Sequence, residues 1–141
     1  MSSSGYRVAL EIGILVVAHE GIGEALVNAV THVLGERPPR LAVASVVATH
    51  ERMVAARDMR RHAELLDDGQ GLLILADAYG ATPSKLACEL LDAGRIELVA
   101  GVSLPMLLRV VTNPRTRLAA MVETAIEGGR RGVQHVDADR I

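Results

Sequence analysis

The sequence predicts an α/β fold: a doubly wound, mainly parallel sheet of four strands plus a short C-terminal strand, with helices on both faces. Three observations predict it. Short apolar, β-branched runs alternate along the whole chain with stretches whose apolar residues recur at helical spacing. Breaks rich in glycine, proline or aspartate separate them. The first and third runs stop at polar residues, His19 and Asp77, as strands do at the carboxyl edge of a parallel sheet, where such folds bind their ligands.

Val8 to Val17 is apolar apart from Glu11, the pattern of a strand covered on both faces. Gly21 and Gly23 punctuate its end. Leu26, Val27, Val30, Val33 and Leu34 then recur at helical spacing until Gly35, Pro38 and Pro39. Leu41 to Val47 is a second strand, ending near Thr49 and His50. Met53 to Leu66 reads as a charged helix with Met53, Ala56, Met59, Ala63 and Leu66 inward and its arginines on a solvated face.

Asp67, Asp68 and Gly69 signal a turn before the most apolar strand, Gly71 to Ala76. The loop Asp77 to Pro83 leads into a helix over Ser84 to Leu91, with Pro83 suited to its first turn. Ile96 to Ala100 is a fourth strand, stopped by Gly101. Helices follow over Leu104 to Val111 and Leu118 to Ile126, divided at Asn113 and Pro114. Gly128, Gly129 and Gly132 are expected to loosen the chain before the short segment Val133 to Val136. The whole chain, 1–141, reads as one domain, with residues 1–6 and 137–141 expected to be flexible.

Composition narrows the function. Half of the 141 residues are apolar, so a sizeable core is available, built from Leu, Val, Ile, Ala and Met because Phe and Trp are absent. A net charge of -2 gives no electrostatic reason to expect nucleic acid or an anionic membrane. The single cysteine, Cys88, excludes an internal disulfide and fits a reducing compartment; among Leu86, Ala87, Leu90 and Leu91 it reads as a small core residue. No apolar run approaches the roughly 20 residues of a membrane helix, and the start carries no signal-peptide pattern. A cytoplasmic protein without direct membrane insertion is expected.

Chemistry concentrates at two strand ends, Val17-Ala18-His19 and Leu75-Ala76-Asp77. Strands lying side by side and parallel bring these two residues to one edge. A carboxylate accepting a proton from one ring nitrogen fixes the histidine tautomer and frees the other nitrogen as a nucleophile. The plainer alternative is a packed histidine and a loop-capping aspartate. In the loop after Asp77, Gly80 and Ala81 let backbone N–H groups approach an anion, and Thr82 offers a hydroxyl or, more plainly, a helix N-cap.

The remaining candidates are weaker. His50 follows the second strand and borders the same edge. His32 and His62 lie in helices and His135 near the terminus, without metal-ligand spacing, so no metal is assigned. Met53 and Met59 read as core, and Arg57, Arg60 and Arg61 as a solvated face. Gly21-x-Gly23 after a strand suggests a dinucleotide loop, but Leu26 occupies the place of the third glycine.

Three segments together carry a resemblance: Val-Val-Ala-His-Glu-Gly, Ile-Leu-Ala-Asp-Ala-Tyr-Gly-Ala-Thr-Pro-Ser and Val-Ala-Gly-Val-Ser-Leu-Pro-Met-Leu. In this order they resemble the mannose-family IIA component of the bacterial phosphoenolpyruvate-dependent sugar phosphotransferase system, over about Val8 to Val136. The related phosphocarrier domain of dihydroxyacetone kinases fits the loop and the Leu-Pro-Met segment less well. The resemblance implies that His19 is phosphorylated on Nε2 by the phosphocarrier HPr and passes the group to a IIB component. It implies that Asp77 holds Nδ1, and that Thr82, with Gly80, Ala81 and Gly21 around the site, helps to hold phosphate oxygens. No cofactor is implied. It also implies a homodimer whose last strand is exchanged between subunits, which would employ Val133 to Val136. The alternative is a regulatory binding module, switched by the phosphate on His19, with no part in transport. The chain departs from the family pattern at Glu20, Ala81, Lys85 and Ser103, where glycine, glycine, asparagine and asparagine are usual.

Overall fold

In a computed structural model, which describes residues 11–140, the chain alternates strands and helices. Their order is β1 (Gly13–His19), α1 (Ile22–Leu34), β2 (Leu41–Val46), α2 (Arg52–Leu66), β3 (Leu72–Ala76), α3 (Thr82–Cys88), β4 (Ile96–Ala100), α4 (Leu104–Thr112) and α5 (Leu118–Arg131), followed by a 3₁₀ turn at Ala138–Arg140. The expected strand residues Val8–Leu10 and the expected flexible residues 1–6 and 141 lie outside the described residues.

The four strands form one parallel sheet in the order β2-β1-β3-β4. β1 and β3 therefore occupy its centre, and they are buried along nearly their whole length, as their unbroken apolar runs demand. Successive side chains point to opposite faces. Ile14, Val16, Leu73 and Leu75 face α1, α4 and α5. Leu15, Val17, Leu72, Ile74 and Ala76 face α2 and α3. Each face has its own apolar core.

The helices show where periodicity needs an anchor. In α2 the buried stripe is Ala55, Met59, Ala63 and Leu66. Met53, expected inward, is 68% exposed. At about 100° per residue, six positions before Met59 is two-thirds of a turn away from the stripe, so Met53 faces solvent. Cys88, expected in the core, is also exposed. Helix α3 ends at Cys88, with Leu86 and Ala87 filling its inner face. In α1, Val33 and Leu34 lie beyond the buried Gly23, Val27 and Val30 and are exposed.

The glycines near the C-terminus do the opposite of loosening the chain. Helix α5 runs through Gly128 and Gly129 to Arg131 because these positions face α4 at close range. A Cβ on Gly128 would stand 2.8 Å from Arg109 Cβ, and one on Gly132 only 2.5 Å from Pro105 Cβ. The absence of side chains lets the two helix backbones approach. Gly23 has a similar reason: a Cβ there would meet Val43 Cγ1 at 2.6 Å, which accounts for the second glycine of the Gly-x-Gly pair by packing of α1 on β2.

Val133 to Val136, expected as a short strand, forms none and pairs with no strand among the described residues. It follows directly from the end of α5 and is exposed, Val133 by 85%. The expected flexible residues before Ile141 carry the 3₁₀ turn, where the Asp139 N–H donates to Asp137 Oδ1 at 3.1 Å.

Candidate functional site

The sheet order creates the site. From β1 the chain crosses to β2 on one side, and β3 is added on the other, so the helices leaving β1 and β3 depart on opposite faces. The carboxyl ends of β1 and β3 thus border a crevice of the kind where open parallel sheets bind ligands. His19 is the last residue of β1, and Asp77 follows the last residue of β3.

The two side chains meet. His19 Nδ1 lies 2.6 Å from Asp77 Oδ2, and the same oxygen accepts the His19 backbone N–H at 2.9 Å. Asp77 Oδ1 accepts the Ala78 N–H at 2.9 Å, and the Asp77 N–H donates to Val17 O at 3.2 Å. The carboxylate is thereby fixed at both oxygens, while the imidazole side chain stays 53% exposed. Burial pushes the Asp77 carboxyl up, but hydrogen bonds from the His19 backbone and ring, the ring's charge, and the Ala78 N–H together hold it below the usual carboxylate range. An ionised Asp77 accepts the Nδ1 proton, which leaves the Nε2 lone pair directed away from the carboxylate. That is the tautomer of a nucleophilic imidazole.

The lowered Asp77 pKa links stability to acid. With the folded value below the unfolded one, the stabilisation is complete above about pH 4 and is lost as pH falls through the folded value. Urea unfolding followed from pH 5 to pH 2 is expected to show a smaller acid loss in Asp77→Asn than in the wild type. Equal losses would mean that the carboxylate adds nothing to folding.

His19 opens onto a cleft of about 490 Å³. Glu20, Val46 at the end of β2, Val47, Ala48 and His50 after it, Arg52 and Ala55 of α2, and Thr82 of α3 complete its lining. Thr82 is therefore brought to His19. It is the first residue of α3, while Ala81 holds the N-cap position without a side-chain cap; the Ser84 hydroxyl donates to Ala81 O at 2.9 Å. Gly80, with φ +83°, forms the turn before it. Gly21, with φ +89°, is the N-cap of α1, two residues beyond His19. Gly21, Gly80 and Ala81 lie in the loops that follow β1 and β3, close in sequence to the cleft's lining but not part of it.

Ser103 keeps the function that a side-chain cap requires: its Oγ accepts the Met106 N–H at 3.2 Å and starts α4. The preceding Gly101 and Val102 N–H groups both donate to Ala76 O at 2.9 Å, tying this segment to the end of β3. Glu20 and Lys85 form no ion pair with each other among the described residues, and Lys85 does not line the cleft. His62 lies elsewhere, with Nδ1 2.9 Å from Asp58 O. Among the described residues no group of three or more His, Cys, Asp or Glu is placed to hold a metal ion. No helix among them is long and apolar enough to cross a membrane.

Arg52 is the residue that sequence reasoning passed over. It opens α2 and reads as one of several arginines on a charged helix. The available signal was its place just after the carboxyl end of β2, the strand that pairs with β1 up to His19 and Val46.

Comparison with known proteins fits this geometry. The profile of the family described as "PTS system fructose IIA component", EIIA-man, matches residues 13–126. The chain belongs to that family. IIA components of the phosphotransferase system are phosphotransferases that work through a phosphohistidine and pass the group to a IIB component, and this is the general activity of the IIA chain described above.

Solved structures share the fold. The mannose/sorbose-specific IIA subunit from Enterococcus faecalis superposes with a TM-score of 0.80 at 19% identity, over 94% of this chain and 99% of that one. A IIA protein associated with the fucose utilization operon of Streptococcus pneumoniae gives 0.78 at 18% identity, over 92% and 96% of the two chains. EIIA from Streptococcus agalactiae gives 0.77 at 20%, over 87% and 95%. No curated protein matches.

Proposed function

We propose that this IIA component is a cytoplasmic phosphocarrier that accepts a phosphoryl group from HPr on His19 Nε2 and delivers it to a histidine of a IIB component. The observation that carries the reading is the contact of His19 Nδ1 with Asp77 Oδ2 at 2.6 Å, beside an open cleft. With Nδ1 engaged, the Nε2 lone pair attacks phosphorus in line. The N–P bond of the donor histidine breaks and its electron pair returns to the donor nitrogen. The Nδ1 proton stays on His19, and Asp77 offsets the positive charge that the ring acquires. In the second transfer His19 Nε2 is the leaving nitrogen. Thr82 borders the cleft and offers a hydroxyl to the phosphoryl oxygens; Gly21, Gly80 and Ala81 shape the loops around it.

The test is incubation with phosphoenolpyruvate, the first phosphotransferase enzyme and HPr. The expected product carries one acid-labile phosphoryl group, mapped by peptide mass analysis to His19. Phosphate on another histidine, or none, would overturn the assignment.

A homodimer belongs to the same proposal. β4 is an edge strand, and beside it lies an apolar groove of about 510 Å³ bordered by Leu98, Val122, Ile126 and Val133. The exposed Val133–Val136 segment, with an apolar residue at each end, is available to pair with a second copy at such an edge. Sedimentation at micromolar concentration is expected to give a dimer, and to give a monomer after truncation at Gly132. A wild-type monomer would rule out the exchange.

A further inference from the structure

We propose that Arg52 is a phosphate-binding residue of this site, its guanidinium engaging the oxygens of a phosphoryl group carried on His19 Nε2. The inference rests on the phosphohistidine reading above and adds to it a cation that neither the sequence motifs nor the family match assigns. A phosphoryl group brings about -1.5 to -2 charges near neutral pH. It would arrive in a cleft already lined by Glu20, with the Asp77 carboxylate held against the other side of the imidazole. Thr82 in the same lining is neutral, and Lys85 lies outside it. The cations within the lining are Arg52 and, when protonated, His50. Of these only Arg52 is charged at every relevant pH.

In the free protein the guanidinium is loosely occupied. Arg52 Nη2 stands 3.8 Å from Glu89 Oε1 at the end of α3, and the two side chains are 60% and 55% exposed. A pair so long and so wet is weak. A phosphoryl group within reach offers two oxygens to the planar fork, a stronger, charge-assisted arrangement. Arg52 thus exchanges Glu89 for phosphate by turning its side chain, because its helix already walls the cleft. The covalent step is unchanged: the donor N–P bond breaks, the Nε2–P bond forms, the Nδ1 proton stays with His19, and Arg52 supplies charge only.

The test compares wild type, Arg52→Gln, Arg52→Lys and Glu89→Gln, each phosphorylated in two ways: by phosphoenolpyruvate through HPr, and by phosphoramidate, whose N–P bond breaks to release ammonia. Acceptance from phosphoramidate is expected to be about 10-fold slower in Arg52→Gln, the loss of one charge-assisted hydrogen-bonding partner, and partly restored in Arg52→Lys. In ³¹P NMR titrations, the phosphoryl group of Arg52→Gln should take up its proton at higher pH than that of the wild type. Glu89→Gln, which releases the guanidinium, should shift this midpoint to lower pH. A structural role for Arg52 would leave these midpoints in place. Wild-type rates and midpoints in Arg52→Gln, or a shift of Glu89→Gln in the same direction as Arg52→Gln, would overturn the proposal. If HPr fails as donor but phosphoramidate labels His19, the relay reading falls while Arg52 is still judged by the chemical arm. Labelling elsewhere, or none with either donor, overturns both.

Discussion

Replacing His19 by alanine is expected to abolish phosphoryl acceptance from HPr, leaving less than about one part in 10⁴ of the wild-type rate, because no other group in the cleft supplies an equivalent nucleophile. His50 lines the same cleft. Among the described residues, however, no carboxylate holds a nitrogen of its ring, whereas His19 is fixed by Asp77. Asp77→Asn retains the nucleophile but disturbs the tautomer and removes the countercharge, so transfer should slow by about 10²–10⁴-fold without ceasing. The measurement is the rate of phosphohistidine formation with HPr in excess. Residual phosphorylation of His19→Ala at a comparable rate would move the acceptor to another residue, and an unchanged rate in Asp77→Asn would remove the carboxylate from the mechanism.

Arg115→Met is expected to cost about 3 kcal/mol of folding stability while leaving the cleft chemistry intact in the protein that folds. Arg115 is 3% exposed in the loop between α4 and α5. Its guanidinium donates to Ile12 O from Nε and Nη2, to Pro39 O from Nη1 at 2.7 Å, and to Arg40 O from Nη2 at 3.0 Å. Glu11 stands 2.9 Å from Nη1. Burial pulls the guanidinium pKa down, Glu11 opposes that, and neighbouring Arg40 adds to it. One side chain thereby satisfies carbonyls just before β1 and β2 and pins the α4–α5 loop beneath them. Arg40 itself sits at φ +52°, a conformation costly for a side-chain-bearing residue. It is held there by Ile14 N–H and Arg115 donating to its carbonyl, and by its own side chain donating to Glu11 O and Leu66 O. Methionine conserves length but leaves three carbonyls with less satisfaction. Urea denaturation should show a lower midpoint at similar slope, and an unchanged midpoint would mean that water replaces the guanidinium without penalty.

What could be read from the sequence follows from the range of each interaction. The two central strands were legible because such strands of a parallel sheet are apolar on both sides, which leaves continuous runs such as Gly71 to Ala76. The His19–Asp77 pair was legible because each residue terminates such a run, and adjacency of the two strands does the rest. Phases of helices were less secure. Met53 and Cys88 belong to their helices, but one residue of rotation separates core from solvent, and only the packed neighbours fix that rotation. Gly128 and Gly132 illustrate a different limit, since glycine as a breaker and glycine as a close-contact surface look the same until the partner helix is known. Arg115 gave no local signal, and Arg52 only its place after the end of β2. Their surroundings are assembled from segments remote in sequence, the first from the starts of β1 and β2, the second from the ends of β1, β2 and the α3 turn.

The contact between His19 and Asp77 spans 58 positions of the chain and crosses from one central strand to the other. Neither the β1–α1–β2 portion nor a chain with β3 undocked contains the imidazole–carboxylate couple, since a loop of that length closes only when the sheet's middle is complete. On the proposed mechanism, fast acceptance of a phosphoryl group is therefore expected only once β1 and β3 have docked. The rate of charging with phosphate would then report, copy by copy, how many molecules have closed the middle of the sheet.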